Sequence, residues 1–204
     1  MSAAGIIGLY ERHAGAWAEL RSRSAFIEGR WLQKFRALLP QSGCVLDLGC
    51  GAGEPIARWL LEQGVRLTGV DSSPSLIGRC RNRFPSSEWI EADMRTLALP
   101  RRFDGVIAWH SFFHLPPRDQ RAMFDVFAHH VAPGGALMFT SGDDENETLG
   151  EFQGEPLYHA SLAPEEYHRL LDASGFDIVE CMLDDQDCGG AAVWLARRRS
   201  GPAR

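Results

Sequence analysis

The rhythm of apolar positions in this chain changes near residue 40. Before Pro40 they recur at helical spacing. Ile6, Leu9, Tyr10, His13 and Trp17 share a face of "IIGLYERHAGAWAELR", and Phe26, Ile27, Trp31, Phe35 and Leu38 share a face of "SAFIEGRWLQKFRALLP". Two helices are expected, the second stopped by Pro40. Beyond it, short apolar runs alternate with amphipathic stretches. "CVLDLGC", "VRLTGVD", "SEWIEAD", "FDGVIAWH" and "ALMFTSG" read as strands. Between them, "EPIARWLLEQG", "SPSLIGRCRNRF" and "PRDQRAMFDVFAHHVAPGG" read as helices, with Ser73 as an N-cap and Pro74 at a first helical position. "DDENETLGEFQGEPLYHA" reads as a polar loop, long enough to carry function. The helix "SLAPEEYHRLLDASG" and the strands "FDIVECMLDD" and "CGGAAVWLARR" follow.

Strands alternating with helices call for a mainly parallel sheet covered on both faces. The last two strands lie too close in sequence for a crossover, so they should form a hairpin with one antiparallel strand near the sheet edge. A chain of 204 residues with 45% hydrophobic residues has material for one sizeable core.

The net charge is −6, and Lys34 is the only lysine. That balance argues against a general nucleic-acid binder. The basic "ARRRSGPAR" reads as a frayed tail. Five cysteines, an odd number with no C-x-x-C pair, suit reduced buried thiols. No apolar run follows a basic N-terminal segment, and none approaches the roughly 20 residues of a membrane span. A cytoplasmic protein with no membrane partner is expected.

The chemistry concentrates in "VLDLGCGAGEPIARWLLEQGVRLTGVDSS". Gly49, Gly51 and Gly53 join a strand to its helix, where a tight turn and close ligand approach favour residues without Cβ. The dinucleotide fingerprint is G-x-G-x-x-G, but here Glu54 holds the position of the third glycine. A carboxylate beside a pyrophosphate is unfavourable, whereas a ligand with an amine and no phosphate removes the objection. Asp71 ends the second strand, where an acid can accept from both hydroxyls of a ribose. Its alternative role is capping, which Ser72 and Ser73 can also fill. Asp93 follows the third strand. It is either a solvated loop acid or an acceptor for an adenine amine, with the Met94 N–H on a ring nitrogen.

"VLDLGCGAGEP", "GVDSS", "EADM" and "FDGVIAWHSFFHLPP" together resemble the successive motifs of the class I S-adenosylmethionine-dependent methyltransferases. The resemblance covers about residues 40 to 199. It implies a Rossmann-like α/β/α sandwich with a seven-stranded sheet in the order 3-2-1-4-5-7-6, strand 7 antiparallel. It also implies an N-terminal helical lid over 1–40, a methyltransferase domain over 41–199 and a tail at 200–204. The cofactor would be S-adenosylmethionine, leaving as S-adenosylhomocysteine. Gly49, Cys50, Gly51 and Gly53 would line its methionine part, with Asp47 near the amine. Asp71 and Ser72 would hold the ribose, Asp93 and Met94 the adenine. Trp109 would wall the site, and Tyr10 and Trp17 would cover it. The two helices carrying those aromatics could equally be ordinary cover for the sheet.

Ligands of open α/β sheets bind beyond the carboxyl ends of the strands, which points to "WHSFFHL". His110, His114 and Tyr158 are the candidate catalytic groups. Each histidine has a structural alternative. Glu28, Trp31, Phe113, Glu155 and His159 are candidates for contacting the acceptor. Cys188, Gly189 and Gly190 form either a plain hairpin turn or room beside the pocket. His129 and His130 read as partners of a helix C-terminus. H-x-x-x-H beginning at a strand end is poor zinc geometry, and no metal is expected. These residues imply in-line methyl transfer to O, N or S of a small molecule by a monomer or homodimer. Alternatives are RNA or protein as acceptor, a non-catalytic cofactor-binding module, and NAD-dependent oxidoreduction.

Overall fold

The computed structural model describes residues 3–201; residues 202–204 of the expected tail lie outside them. Seven strands form one sheet. β1 (Cys44–Leu48), β2 (Arg66–Asp71), β3 (Glu88–Glu91), β4 (Phe103–Ala108) and β5 (Val131–Ser141) are parallel. β8 (Phe176–Asp185) and β9 (Ala191–Arg198) complete it, β9 running antiparallel to both β5 and β8. The order is β3-β2-β1-β4-β5-β9-β8. Counting only the strands of this sheet, that is the expected 3-2-1-4-5-7-6.

The supposed polar loop is instead a hairpin, β6 (Asn146–Phe152) paired with β7 (Glu155–Ser161). Gln153 and Gly154 both have positive φ, 54° and 77°. That is the backbone of a two-residue hairpin turn of the kind that matches strand twist. The polar composition hid it because its strands lie outside the sheet and most of β6 faces water.

α3 (Gly29–Ala37), α4 (Ile56–Glu62) and α5 (Pro74–Arg83) cover one face of the sheet, and α6 (Pro117–His130) and α7 (Pro164–Ala173) the other. Alternate strand residues divide between two cores. Val45, Ile107, Met138 and Val193 meet Trp31, Phe35 and Leu60. Leu46, Val106, Phe139 and Trp194 meet Phe124, Phe127 and Tyr167. Strands buried on both faces read as unbroken apolar runs, which is why they were legible. The first expected helix is two, α1 (Ala3–Arg12) and α2 (Ala14–Arg23), broken at His13. The second begins only at Gly29. Ser73 caps α5, its Oγ accepting from the Leu76 N–H at 3.2 Å, and Pro74 opens the helix as expected.

Candidate functional site

The carboxyl ends of β1, β2 and β4 face a group of three clefts. The first runs from the glycine turn past Asp71 and Ser72 to Asp93 and Met94, under Tyr10 and Trp17. It encloses about 710 Å³, its open mouth included. The second continues beside it from Asp47, Cys50 and Trp109 to Arg21. The third lies between Phe113, His159 and the 188–191 turn. His110 borders all three.

The turn needs its glycines. Gly49 and Gly51 have φ of +76° and +56°, and a Cβ at Gly49 would lie 2.3 Å from Ser111 Cβ. Ser111 is fixed by donating to the Leu48 carbonyl at 2.7 Å. Gly53 borders none of the clefts; its missing Cβ makes room for the Phe84 ring instead.

Asp71 ties the turn to β2. Its Oδ2 accepts from the Gly51 N–H and its Oδ1 from the Ser73 N–H, each at 2.9 Å. One lone pair remains on each oxygen, the arrangement a vicinal diol needs. Burial pushes its carboxyl above the usual range. Asp47 is 3% exposed, and burial, with Asp71 nearby, raises its pKa to about 7. Asp93 accepts from the Arg95 backbone and guanidinium, which hold it below the usual range. Glu54 is paired with Arg58 and Arg83. Its charge is therefore less exposed to a ligand phosphate than the sequence suggests.

His110 and His114 play different parts. His114 Nδ1 lies 2.8 Å from the Tyr158 carbonyl, which only accepts, so Nδ1 carries the proton. Nε2 then accepts from the Tyr10 hydroxyl at 2.9 Å. Both nitrogens are occupied, and burial lowers the pKa to about 3. His114 thus fixes the Tyr10 side chain at the cleft. His110 has φ +48°, uncommon for a non-glycine residue, and its N–H donates to Thr140 Oγ1 at 2.8 Å. Its ring stacks on Trp109 at 5.4 Å. Burial, with Arg21 and His159 nearby, lowers its pKa to about 4, so it is a neutral imidazole at pH 7.

Four other expected site residues border none of the clefts. Trp31 is fully buried in the core and donates to Asp185 Oδ2 at 2.7 Å. Glu28 is buried and paired with Arg21. Tyr158 packs near Ile6 and donates to Glu147 at 2.6 Å, its pKa raised to about 12 chiefly by burial. Glu155 binds Arg12, and His13 at 2.7 Å. His130 is neutral, not a cation at the helix end: Nε2 accepts from the Leu99 N–H at 3.0 Å, leaving Nδ1 to donate to Val126 O at 2.8 Å.

Two site residues were not found from sequence. Arg21 was lost in an undistinguished helix. Phe152 lies across the covering aromatics, 5.8 Å from Trp17 and 6.3 Å from Tyr10. The signal for it was "FQGE", an aromatic just before a turn pair ending in glycine. Among the described residues no group of three or more His, Cys, Asp or Glu is placed to hold a metal. No helix among them is long and apolar enough to cross a membrane.

Residues 45–135 match the model of the family described as "Methyltransferase domain". The chain is 32% identical over 137 residues to the putative methyltransferase YqeM of Bacillus subtilis, covering 64% of this chain and 54% of that protein. It is 34% identical over 106 residues to trans-aconitate 2-methyltransferase of Azoarcus sp., covering 50% and 40% respectively. The chain thus spans about half the length of these curated relatives. In fold it is similar to the Burkholderia thailandensis 1,6-didemethyltoxoflavin-N1-methyltransferase, solved with bound 1,6-didemethyltoxoflavin and S-adenosylhomocysteine. The TM-score is 0.76 at 20% identity, covering 97% of this chain and 89% of that one. The glycopeptide N-methyltransferase MtfA, solved with S-adenosylhomocysteine, gives a TM-score of 0.67 at 20% identity, covering 90% and 97%.

Proposed function

We propose that the chain is a class I S-adenosylmethionine-dependent methyltransferase that transfers a methyl group from that cofactor to a small-molecule acceptor, a reading supported by the methyltransferase-domain match over residues 45–135 and the likeness to the curated relatives. One observation carries this reading: a cleft lined by the glycine turn, Asp71 and Asp93 meets at His110 a second lined by Asp47 and Arg21 and a third that opens beside Phe113 and His159.

The residues fit the group. Gly49 and Gly51 leave a cradle that side chains would fill. Asp71 keeps lone pairs for a ribose diol, and Asp93 and Met94 lie farther along the same cleft for adenine. At the other end Asp47 suits an ammonium and Arg21 a carboxylate, the two charges of an amino acid. The buried Trp109 Nε1 has no partner among the described residues and is one further donor there. When bound, the cofactor supplies a methyl already activated on a cationic sulfur.

The protein's task is then to align the acceptor and exclude water. Tyr10 and Trp17 cover the cleft, with His114 holding the Tyr10 hydroxyl. Residues 3–40 act in this reading as a lid on a catalytic domain beginning near residue 41. His110 orients the acceptor as a neutral hydrogen-bond acceptor. Calorimetric titration with S-adenosylhomocysteine tests the reading. Binding at micromolar concentrations, with no response to NAD, is expected; no binding at millimolar concentration defeats it.

A further inference from the structure

Resting on the methyltransferase reading, we infer that the cleft between Phe113, His159 and the 188–191 turn is the acceptor site, and that it selects a small amine and rejects carboxylates. This cleft meets the other two at His110, where an acceptor must sit to reach the transferred methyl. Only His110 and Phe113 of its lining fall within the segment that matches the family model. The rest comes from Ile27 and from positions at or beyond Ser141. The family likeness therefore describes the cofactor half, and acceptor selection must be read from this lining itself.

Among the described residues, no arginine or lysine lines the cleft. Of the nearby cations, Arg12 is paired with Glu155, and Arg21, paired with Glu28, faces the neighbouring cleft instead. Burial lowers the pKa of both His110 and His159, so neither imidazole offers a positive charge at neutral pH. Asp143 and Asp144, two acidic side chains, stand on the rim. A carboxylate entering here would give up water, find no cationic partner and meet two like charges. An amine meets Asp143 and Asp144 and the acceptor oxygens of Ser141, Asn146 and Thr148, and Phe113 and Ile27 provide apolar wall for its body.

The choice of nitrogen over oxygen follows from His110. A hydroxyl must lose its proton at or before attack, and a buried imidazole of lowered basicity is a weak base for that. An amine that enters as its ammonium would first give one proton to water at the open mouth and then attack with the lone pair so freed, without a strong protein base. The pair forms the new C–N bond, the C–S bonding pair passes to sulfur, and the methylated ammonium then loses an N–H proton to water at the open mouth. His110 accepts one N–H bond and so aims the lone pair. It is a positioning residue.

The test uses two probes that share an indole-ethyl body and carry opposite charge, tryptamine and indole-3-propionate, with trans-aconitate as a polycarboxylate. Each is titrated by calorimetry into the full chain loaded with S-adenosylhomocysteine. Tryptamine is expected to bind at least about tenfold more tightly than indole-3-propionate, ~1.4 kcal/mol, and trans-aconitate not at all. The double variant Asp143→Asn, Asp144→Asn should load normally and lose most of that preference. Equal affinities, tighter binding of either acid, no binding of tryptamine at millimolar concentration, or an undiminished preference in the double variant would each overturn the inference. Failure at the loading step is a separate outcome: it removes the methyltransferase reading, and this inference with it.

Discussion

Asp71 and Asp47 lie close together at the strand ends, and burial raises both carboxyls. Asp71 already accepts from two backbone N–H groups, so its remaining lone pairs are aimed before any ligand arrives. Asp71→Ala should weaken S-adenosylhomocysteine binding by about 1.5–3 kcal/mol, the usual worth of hydrogen bonds to a charged group. Calorimetry reads this directly, with Tm confirming a folded variant. Asp47 makes a pH prediction. With its folded pKa near 7, it is about half neutral at pH 7. An ammonium ligand favours the ionised form. Affinity for S-adenosylhomocysteine should therefore rise between pH 6 and 8, and Asp47→Asn should flatten that rise. Titrations in buffers across that range show the slope or its absence.

The covering elements are α1, α2 and the β6–β7 hairpin. They meet through an aromatic group at Phe152 and through Glu155, which takes both Arg12 and His13. Glu11 fastens α1 to the start of α5 by accepting from Ser75 Oγ at 2.6 Å. The covering layer is thus built by contacts between segments about 140 residues apart. Phe152→Ala should loosen α1 and α2 without disturbing the sheet. Amide hydrogen exchange should quicken there while β1, β4 and β5 stay protected. Unchanged exchange in α1 would mean that the hairpin does not hold it.

Across the whole molecule, two cores sandwich one sheet, and several histidines are kept neutral by burial. His110, His114, His130 and His159 all have lowered pKa values. Below about pH 6.5 the unfolded chain takes up protons at these positions that the folded chain refuses, so stability falls as pH drops from 6.5 toward 4. Asp47 acts in the opposite sense. Its raised carboxyl favours the folded state at low pH, and that contribution is lost as pH rises through 7. Asp71 acts as Asp47 does. The histidine part is exposed by Asp47→Asn, whose Tm should fall more between pH 7.5 and pH 5 than that of the unchanged protein, because one opposing carboxyl is gone. The same two cores make Phe124, buried among Phe112, Phe127 and Phe139, costly to truncate. Phe124→Ala should cost about 3–5 kcal/mol, read by denaturant unfolding.

Strand–helix alternation, the glycine turn and the acids after β2 and β3 were legible because each is local. A strand buried on both faces must be an apolar run, a turn with positive φ favours glycine, and an acid ending a strand lies at the ligand edge by topology alone. The sequence by itself thus determined the sheet and the glycine turn and acids that line the first cleft. Only the tertiary structure decided which side chains converge. It turned Gly53 toward Phe84, put Trp31 in the core, brought Arg21 beside Asp47, and made a hairpin of a polar stretch whose strands pair only with each other. It also separated His110 from His114, four residues apart, one at the meeting of three clefts and the other beneath a tyrosine. The physical reason is distance along the chain. Periodicity and turn chemistry act over a few residues, whereas the acceptor cleft joins Ile27, His110, Asp143 and Cys188, whose neighbours are set by packing.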